Sequence, residues 1–199
     1  MTLLSPDIAA LIGSRICHDL ISPIGAISNG VELLEMAGGA AGPEIELISE
    51  SVSNANARIR FFRVAFGASS PGQMIGANEV RSILTDYSAG GRLQLDWQTD
   101  GDQVRTETKI AFLLILCLET AMPWGGQITV SNTGNNWAIS GTSDRIKVDD
   151  ALWDSLSTPE PTRDISAAEV QFLLLPTLLH DANLRLSLDI GETGITARF

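Results

Sequence analysis

Only two histidines occur in this 199-residue chain, and one of them stands in a setting that can do chemistry: Arg15-Ile16-Cys17-His18-Asp19-Leu20-Ile21-Ser22-Pro23. A neutral imidazole has an unprotonated ring nitrogen that can take a phosphoryl group from an aspartyl phosphate and release it to another aspartate. Because the transition state of such a transfer is loose, the helix need only present the ring in line, with charge neutralised around it. Asp19 is a candidate to accept a hydrogen bond from the other ring nitrogen or to set the local field. Its side chain diverges from that of His18 by ~100° around a helix, so an exposed carboxylate without a role is the plainer alternative. The same divergence makes Cys17 and His18 a poor nucleophile pair. His18 and Asp19 are the candidate catalytic residues.

The element that must position them is a long helix from about Ile8 to Met36. Apolar residues at Ile16, Leu20, Ile24, Ile27, Val31 and Leu34 recur at helical spacing and form one seam. His18 lies two positions from both Ile16 and Leu20, almost opposite that seam. Its face carries Leu11, Ser14, Arg15, Ile21, Ser22, Gly25 and Asn29, several of them small, so a bulky partner can come close. Leu11 and Ile21 are expected to be exposed there, as apolar residues of a protein contact patch are. Pro23 interrupts the helical pattern one turn after Asp19, and either shapes the docking surface or is a tolerated kink.

Ser5-Pro6-Asp7 supplies a start signal for this helix, with Ser5 as cap, and the run Ala37 to Pro43 stops it. A second helix from near Glu44 to Gly67 carries the seam Ile48, Val52, Ala55, Ile59, Phe62 and Phe66, the heptad geometry of a bundle. The two helices make an antiparallel hairpin. Alone it leaves much of both seams wet, so a homodimeric four-helix bundle is expected. With the turn centred near Ala40, Arg63 falls roughly level with His18, give or take a turn. There it either holds a phosphoryl or carboxylate group or, like Arg58 and Arg60, is a solvated charge.

The remainder changes character. Residues 1–67 read as the hairpin domain, 68–77 as a linker and 78–199 as a second domain. In the last, helices at about Asn78–Tyr87, Thr106–Ala121 and Ala167–His180 alternate with strands at Leu93–Trp97, Gln127–Ser131, Asn136–Ser140, Leu184–Ile190 and Ile195–Arg198. A loop-rich segment contains Pro159 and Pro161. The order fits a two-layer α/β sandwich, giving an α plus α/β chain overall.

Composition narrows the functions. A hydrophobic content of 44% supports packed cores, and a net charge of -11 argues against nucleic acid or an anionic membrane as partner. No signal-like or membrane-spanning stretch is present, which places the expected location in the cytoplasm. Cys17 and Cys117 read as reduced packing residues, and two histidines cannot fill the ligand set of a metal-dependent phosphohydrolase. His180 reads as a residue at a helix C-terminus.

Cys17-His18-Asp19-Leu20-Ile21-Ser22-Pro23, together with Arg63-Val64-Ala65-Phe66-Gly67-Ala68-Ser69, resembles the ChpT-type histidine phosphotransferases of alphaproteobacterial phosphorelays. The resemblance implies a dimeric hairpin bearing the phosphorylated histidine, here His18, followed by a degenerate histidine-kinase-like ATP-binding domain. It implies the receiver domain of a hybrid histidine kinase as donor and response regulators as acceptors. Mg²⁺ is expected on the receiver and no cofactor on this chain. A working kinase domain of that fold needs an asparagine on the long helix, an Asp-x-Gly-x-Gly segment and a later glycine-rich loop. Thr106 to Ala121 contains no asparagine, Ile139 to Asp144 lacks the spaced glycines, and no glycine lies between Gly141 and Gly191. ATP binding is therefore not expected. The rival reading is a non-catalytic, pseudokinase-like dimer that binds and inhibits a two-component partner.

Overall fold

A computed structural model describes residues 6–36, 42–134, 136–157 and 163–199. The proposed Ser5 cap, the turn between the first two helices and the segment with Pro159 and Pro161 lie outside the described residues.

Helices α1 (Pro6–Met36) and α2 (Pro43–Ala65) form the expected antiparallel hairpin. Proline begins α2, and Glu44 and Glu46 occupy its first turn, where carboxylates meet the positive end of the helix dipole. The α1 face turned toward α2 is centred beside the apolar seam, of which Ile16, Leu20, Ile27 and Leu34 are half-buried and Ile24 and Val31 exposed. It is a stripe of Asp19, Pro23, Ala26 and Gly30, small or compact residues that let the helices come together. A Cβ on Gly30 would lie 2.6 Å from Ile48 Cγ1, which explains a glycine inside a helix. The outer edge of the aliphatic stripe lies beside this contact and stays wet in the single chain, with Ile24 57%, Val31 41%, Val52 41% and Ile59 44% exposed.

The second half is a five-stranded sheet under helices. Its strands are β2 (Leu93–Trp97), β4 (Gly126–Thr133), β5 (Asn136–Thr142), β6 (Ser187–Ile190) and β7 (Gly194–Arg198), in the order β2-β4-β5-β7-β6. Only β2 and β4 are parallel. A parallel pair needs a crossover, which α4 (Arg105–Ala121) supplies. The helices α3 (Ala77–Ser88), α4 and α6 (Gln171–Asp181) complete the second layer. Strand alternation points Ile128, Val130, Trp137, Ile139, Ile195 and Ala197 into the core, and α4 is buried on most sides, as its all-round apolar middle requires.

Three elements carry no periodic signal of their own: the two-residue strands β1 (Met74–Ile75) and β3 (Gln103–Val104), which pair with each other, and the five-residue helix α5 (Asp150–Asp154), capped by Asp149. The helix expected from Ala167 begins as a separate 3-10 turn (Ala167–Glu169) closed by a capping box between Ser166 and Glu169. The strand expected from Leu184 starts only at Ser187. Asn183 adopts a left-handed φ of 54°, and the Leu184 amide bonds back to the Leu179 carbonyl at 2.9 Å, so these residues close α6 as a Schellman motif.

The core crosses the boundary expected at residue 67. Phe61, Phe62, Val64 and Ala65 of α2 belong to the same buried cluster as α4 and the sheet, and Phe61 stacks on Tyr87 with ring centres 4.0 Å apart. The C-terminal end of α2 is held by cations from α4. Arg105 Nη2 donates to the Arg63 carbonyl at 2.8 Å, and Lys109 Nζ donates to the Gly67 carbonyl at 2.9 Å. Ile8, Leu11, Ile12 and Ile16 of α1 also pack on this core, so the hairpin is mounted on the sandwich at both helices.

Candidate functional site

His18 projects from the middle of the first half of α1 with its side chain 82% exposed. The neighbouring Asp19 is 10% exposed, and it reaches the ring despite their angular separation: Asp19 Oδ1 lies 3.1 Å from His18 Nδ1. A carboxylate only accepts, so Nδ1 carries the hydrogen and Nε2 is the nitrogen turned to solvent with a free lone pair when the ring is neutral. The other oxygen, Oδ2, takes a hydrogen bond from Arg15 Nε at 2.8 Å and faces Arg58 Nη1 at 3.8 Å. Each carboxylate oxygen thus has its own partners, one the histidine and the other two guanidinium groups.

The structure rearranges several sequence expectations around this centre. Ser14, Ile21, Ser22, Gly25 and Asn29 surround His18 as exposed residues, with Ile21 67% exposed. Leu11 is not: it is half-buried, because this part of α1 lies on the sandwich. Arg15 is 13% exposed and turned inward, pairing with Asp19 and donating from Nη1 to the Ala168 carbonyl in the second domain. Pro23 is buried and lines the cleft between the helices, so it shapes the hairpin from within. Cys17, expected as a packing residue, is exposed, whereas Cys117 is buried.

Arg63 is exposed, and the arginine beside Asp19 is Arg58. The pairs Gly30 with Ile48 and Asp19 with Arg58 centre the hairpin near position 39, which sets Arg63 about one turn from the level of the histidine, within the expected margin. Arg58 went unmarked because it is one of three arginines on α2 and only the register singles it out. The Arg15–Asp19 pair does have a sequence signal, the i,i+4 spacing of opposite charges on a helix.

Behind Arg58 lies a half-buried polar pair, lining one cleft with it. Tyr87 Oη donates to Glu119 Oε2 at 3.0 Å, and Arg58 Cζ stands 5.9 Å from the Tyr87 ring centre. Burial pushes the Glu119 carboxyl pKa up, while the Tyr87 hydroxyl and the Arg15 and Arg58 charges pull it back. Burial, then the Glu119 charge, push the Tyr87 hydroxyl well up. Among the described residues no group of three His, Cys, Asp or Glu side chains could hold a metal ion, and no helix is long and apolar enough to cross a membrane.

A solvent-facing imidazole oriented by a carboxylate, on a helical hairpin mounted in front of an α/β sandwich, is the arrangement of a phosphotransfer protein. The chain belongs to the histidine phosphotransferase family, whose C-terminal domain model matches residues 77–194. Protein phosphotransferase ChpT from Brucella abortus (strain 2308) is 34% identical over 196 residues, spanning 94% of this chain and 92% of that protein. A bacterial phosphotransferase solved at 1.7 Å superposes with a TM-score of 0.80 at 31% identity, covering 100% of this chain and 98% of that one. The chain is therefore a phosphotransferase of the phosphorelay type.

Proposed function

We propose that His18 is the phosphoryl carrier, loaded from the receiver aspartate of a hybrid histidine kinase and unloaded onto the receiver aspartates of response regulators. The observation that supports this most is the 82% exposed ring whose Nδ1 is engaged by Asp19, leaving Nε2 outward. The Nε2 lone pair forms the bond to phosphorus as the bond from phosphorus to the aspartyl oxygen breaks, and the aspartate leaves as a carboxylate. Transfer to the next receiver is the same step reversed. Asp19 stabilises the positive charge that the ring acquires. The phosphoryl charge is met by Mg²⁺ held in the receiver's acidic pocket, so this chain needs no cofactor of its own.

The working form is a homodimer. The wet stripe of Ile24, Val31, Val52 and Ile59 is the face that a second hairpin would cover, making a four-helix bundle with two outward histidines. Ser14, Ile21, Ser22 and Gly25 form the receiver's contact patch around each ring. Receiver partners place the protein in the cytoplasm, and nucleic acid is not among its ligands. The second domain does not bind ATP, for want of the asparagine and glycines named above.

Mixing the protein with a phosphorylated receiver domain and following the label tests this reading. Wild type should acquire label and pass it to a second receiver, while His18→Gln should acquire none; labelled His18→Gln would overturn it. Radiolabelled ATP without a donor should label neither protein. A module that merely blocked a partner would keep its effect in the variant.

A further inference from the structure

Asp19 can serve His18 only if its carboxylate stays turned toward Nδ1, and the cations beside it come from its own helix and from the other helix of the hairpin. Arg15 bonds to Oδ2 from the same helix, but Arg58 faces that oxygen across the hairpin. Arg58 is itself fixed on several sides. Its Nε donates to Asn54 Oδ1 at 3.0 Å, and its guanidinium lies by the Tyr87 ring, which is stacked on Phe61 and hydrogen-bonded to half-buried Glu119. Arg58 thus joins Asp19 of the hairpin to the Tyr87 ring of the sandwich, and Glu119 lines the same cleft.

We infer that Arg58 is a positioning residue for phosphotransfer: set against the Tyr87 ring of the second domain, whose hydroxyl Glu119 holds, it faces Asp19 Oδ2 so that Oδ1 keeps the His18 ring in its Nδ1–H form. The inference rests on the carrier role of His18 and adds a duty for the sandwich domain, which sets how reactive the histidine is as well as offering surface. Outer partners that orient metal-binding histidines matter by ~10–100-fold when removed, and Arg58 is asked here for the same kind of orienting duty. Replacing Arg58 leaves Oδ2 with Arg15 alone, and the carboxylate gains freedom to turn away from the ring. Removing the Tyr87 hydroxyl leaves Glu119 short of a donor and draws Arg58 toward it, which weakens the same hold on Asp19.

The test is a saturating, single-turnover transfer from a phosphorylated receiver to wild type, Arg58→Gln, Arg58→Lys and Tyr87→Phe, with ¹⁵N ring shifts recorded for each. The chain has two histidines, so a His180→Asn background leaves one ring to read. Arg58→Gln should lower the saturated rate about tenfold, with receiver affinity unchanged and the Nδ1–H population reduced. Arg58→Lys should recover much of both, and Tyr87→Phe should shift both the same way by less. A wild-type rate and tautomer in Arg58→Gln would overturn the inference, as would loss of receiver affinity with the saturated rate intact. Should Arg58→Gln not fold, unchanged tautomers in Arg58→Lys and Tyr87→Phe would overturn it, and shifted ones would support it. Wild type that takes no label refutes the carrier role itself, whereas labelled wild type beside an unaffected Arg58→Gln refutes only the inference.

Discussion

Carboxylates in this protein act through what holds them. Asp19 divides its oxygens between a histidine and two arginines, and Glu169 shows the same economy some distance along the chain. Glu169 accepts hydrogen bonds from Arg163 at 2.8 and 3.1 Å and from the Ser166 amide and hydroxyl, and Arg163 also pairs with Asp149. The Arg163 hydrogen bonds lead in lowering the Glu169 pKa from 4.5 to about 2. This cluster fixes the 3-10 turn whose Ala168 carbonyl receives Arg15. A carboxyl depressed in the fold lends stability above its ordinary pKa and loses it as pH falls toward the folded value. Glu169→Gln should therefore be less stable than wild type at neutral pH, by about 1 kcal/mol after solvent screening, and the gap should close as urea unfolding is repeated down to about pH 2.

The helices divide their glycines between packing and surface. Gly30 has Ile48 against it, whereas Gly13 has nothing within 4 Å of where a Cβ would stand. Gly13→Ala should raise stability by about 0.5–1 kcal/mol through helix propensity alone. Gly30→Leu should cost about 1–3 kcal/mol by forcing the hairpin apart, and thermal melts of the two variants would show opposite shifts. The long elements were legible in the sequence because periodicity sums over many residues: α1 through α4 and strands β2, β4, β5 and β7 lie within about two residues of the expectation. Elements of two to five residues have no period to sum, and Leu184 to Leu186 looked like strand because the pattern cannot show a left-handed Asn183. Which α1 face meets α2 was also hidden. Close approach favours Pro23, Ala26 and Gly30 over the more apolar stripe, a preference of geometry that hydropathy does not carry.

At the scale of the molecule the hairpin is bound to the sandwich by a common core, with Phe61 and Phe62 on one side and α4 on the other. That mounting half-buries Leu11 and Arg15 and leaves Ile24, Val31, Val52 and Ile59 exposed, the face proposed above for a second copy. Val31→Glu or Val52→Glu would put an unpaired charge into such an interface and should raise the dimer dissociation constant at least about tenfold, or 1.4 kcal/mol. Sedimentation would show a fall from two chains to one, and a wild type already monomeric at high concentration would contradict the bundle. The sequence by itself determined the histidine's place opposite the apolar seam, the hairpin, the order of the longer elements and the family, because these follow from local spacing and motif. Only the tertiary structure decided which arginine stands beside Asp19, which side of the hairpin is shut and how deeply the site is tied to the second domain. Those depend on a register between distant segments, where a shift of a few residues replaces Arg58 by Arg63 and leaves every local pattern unchanged.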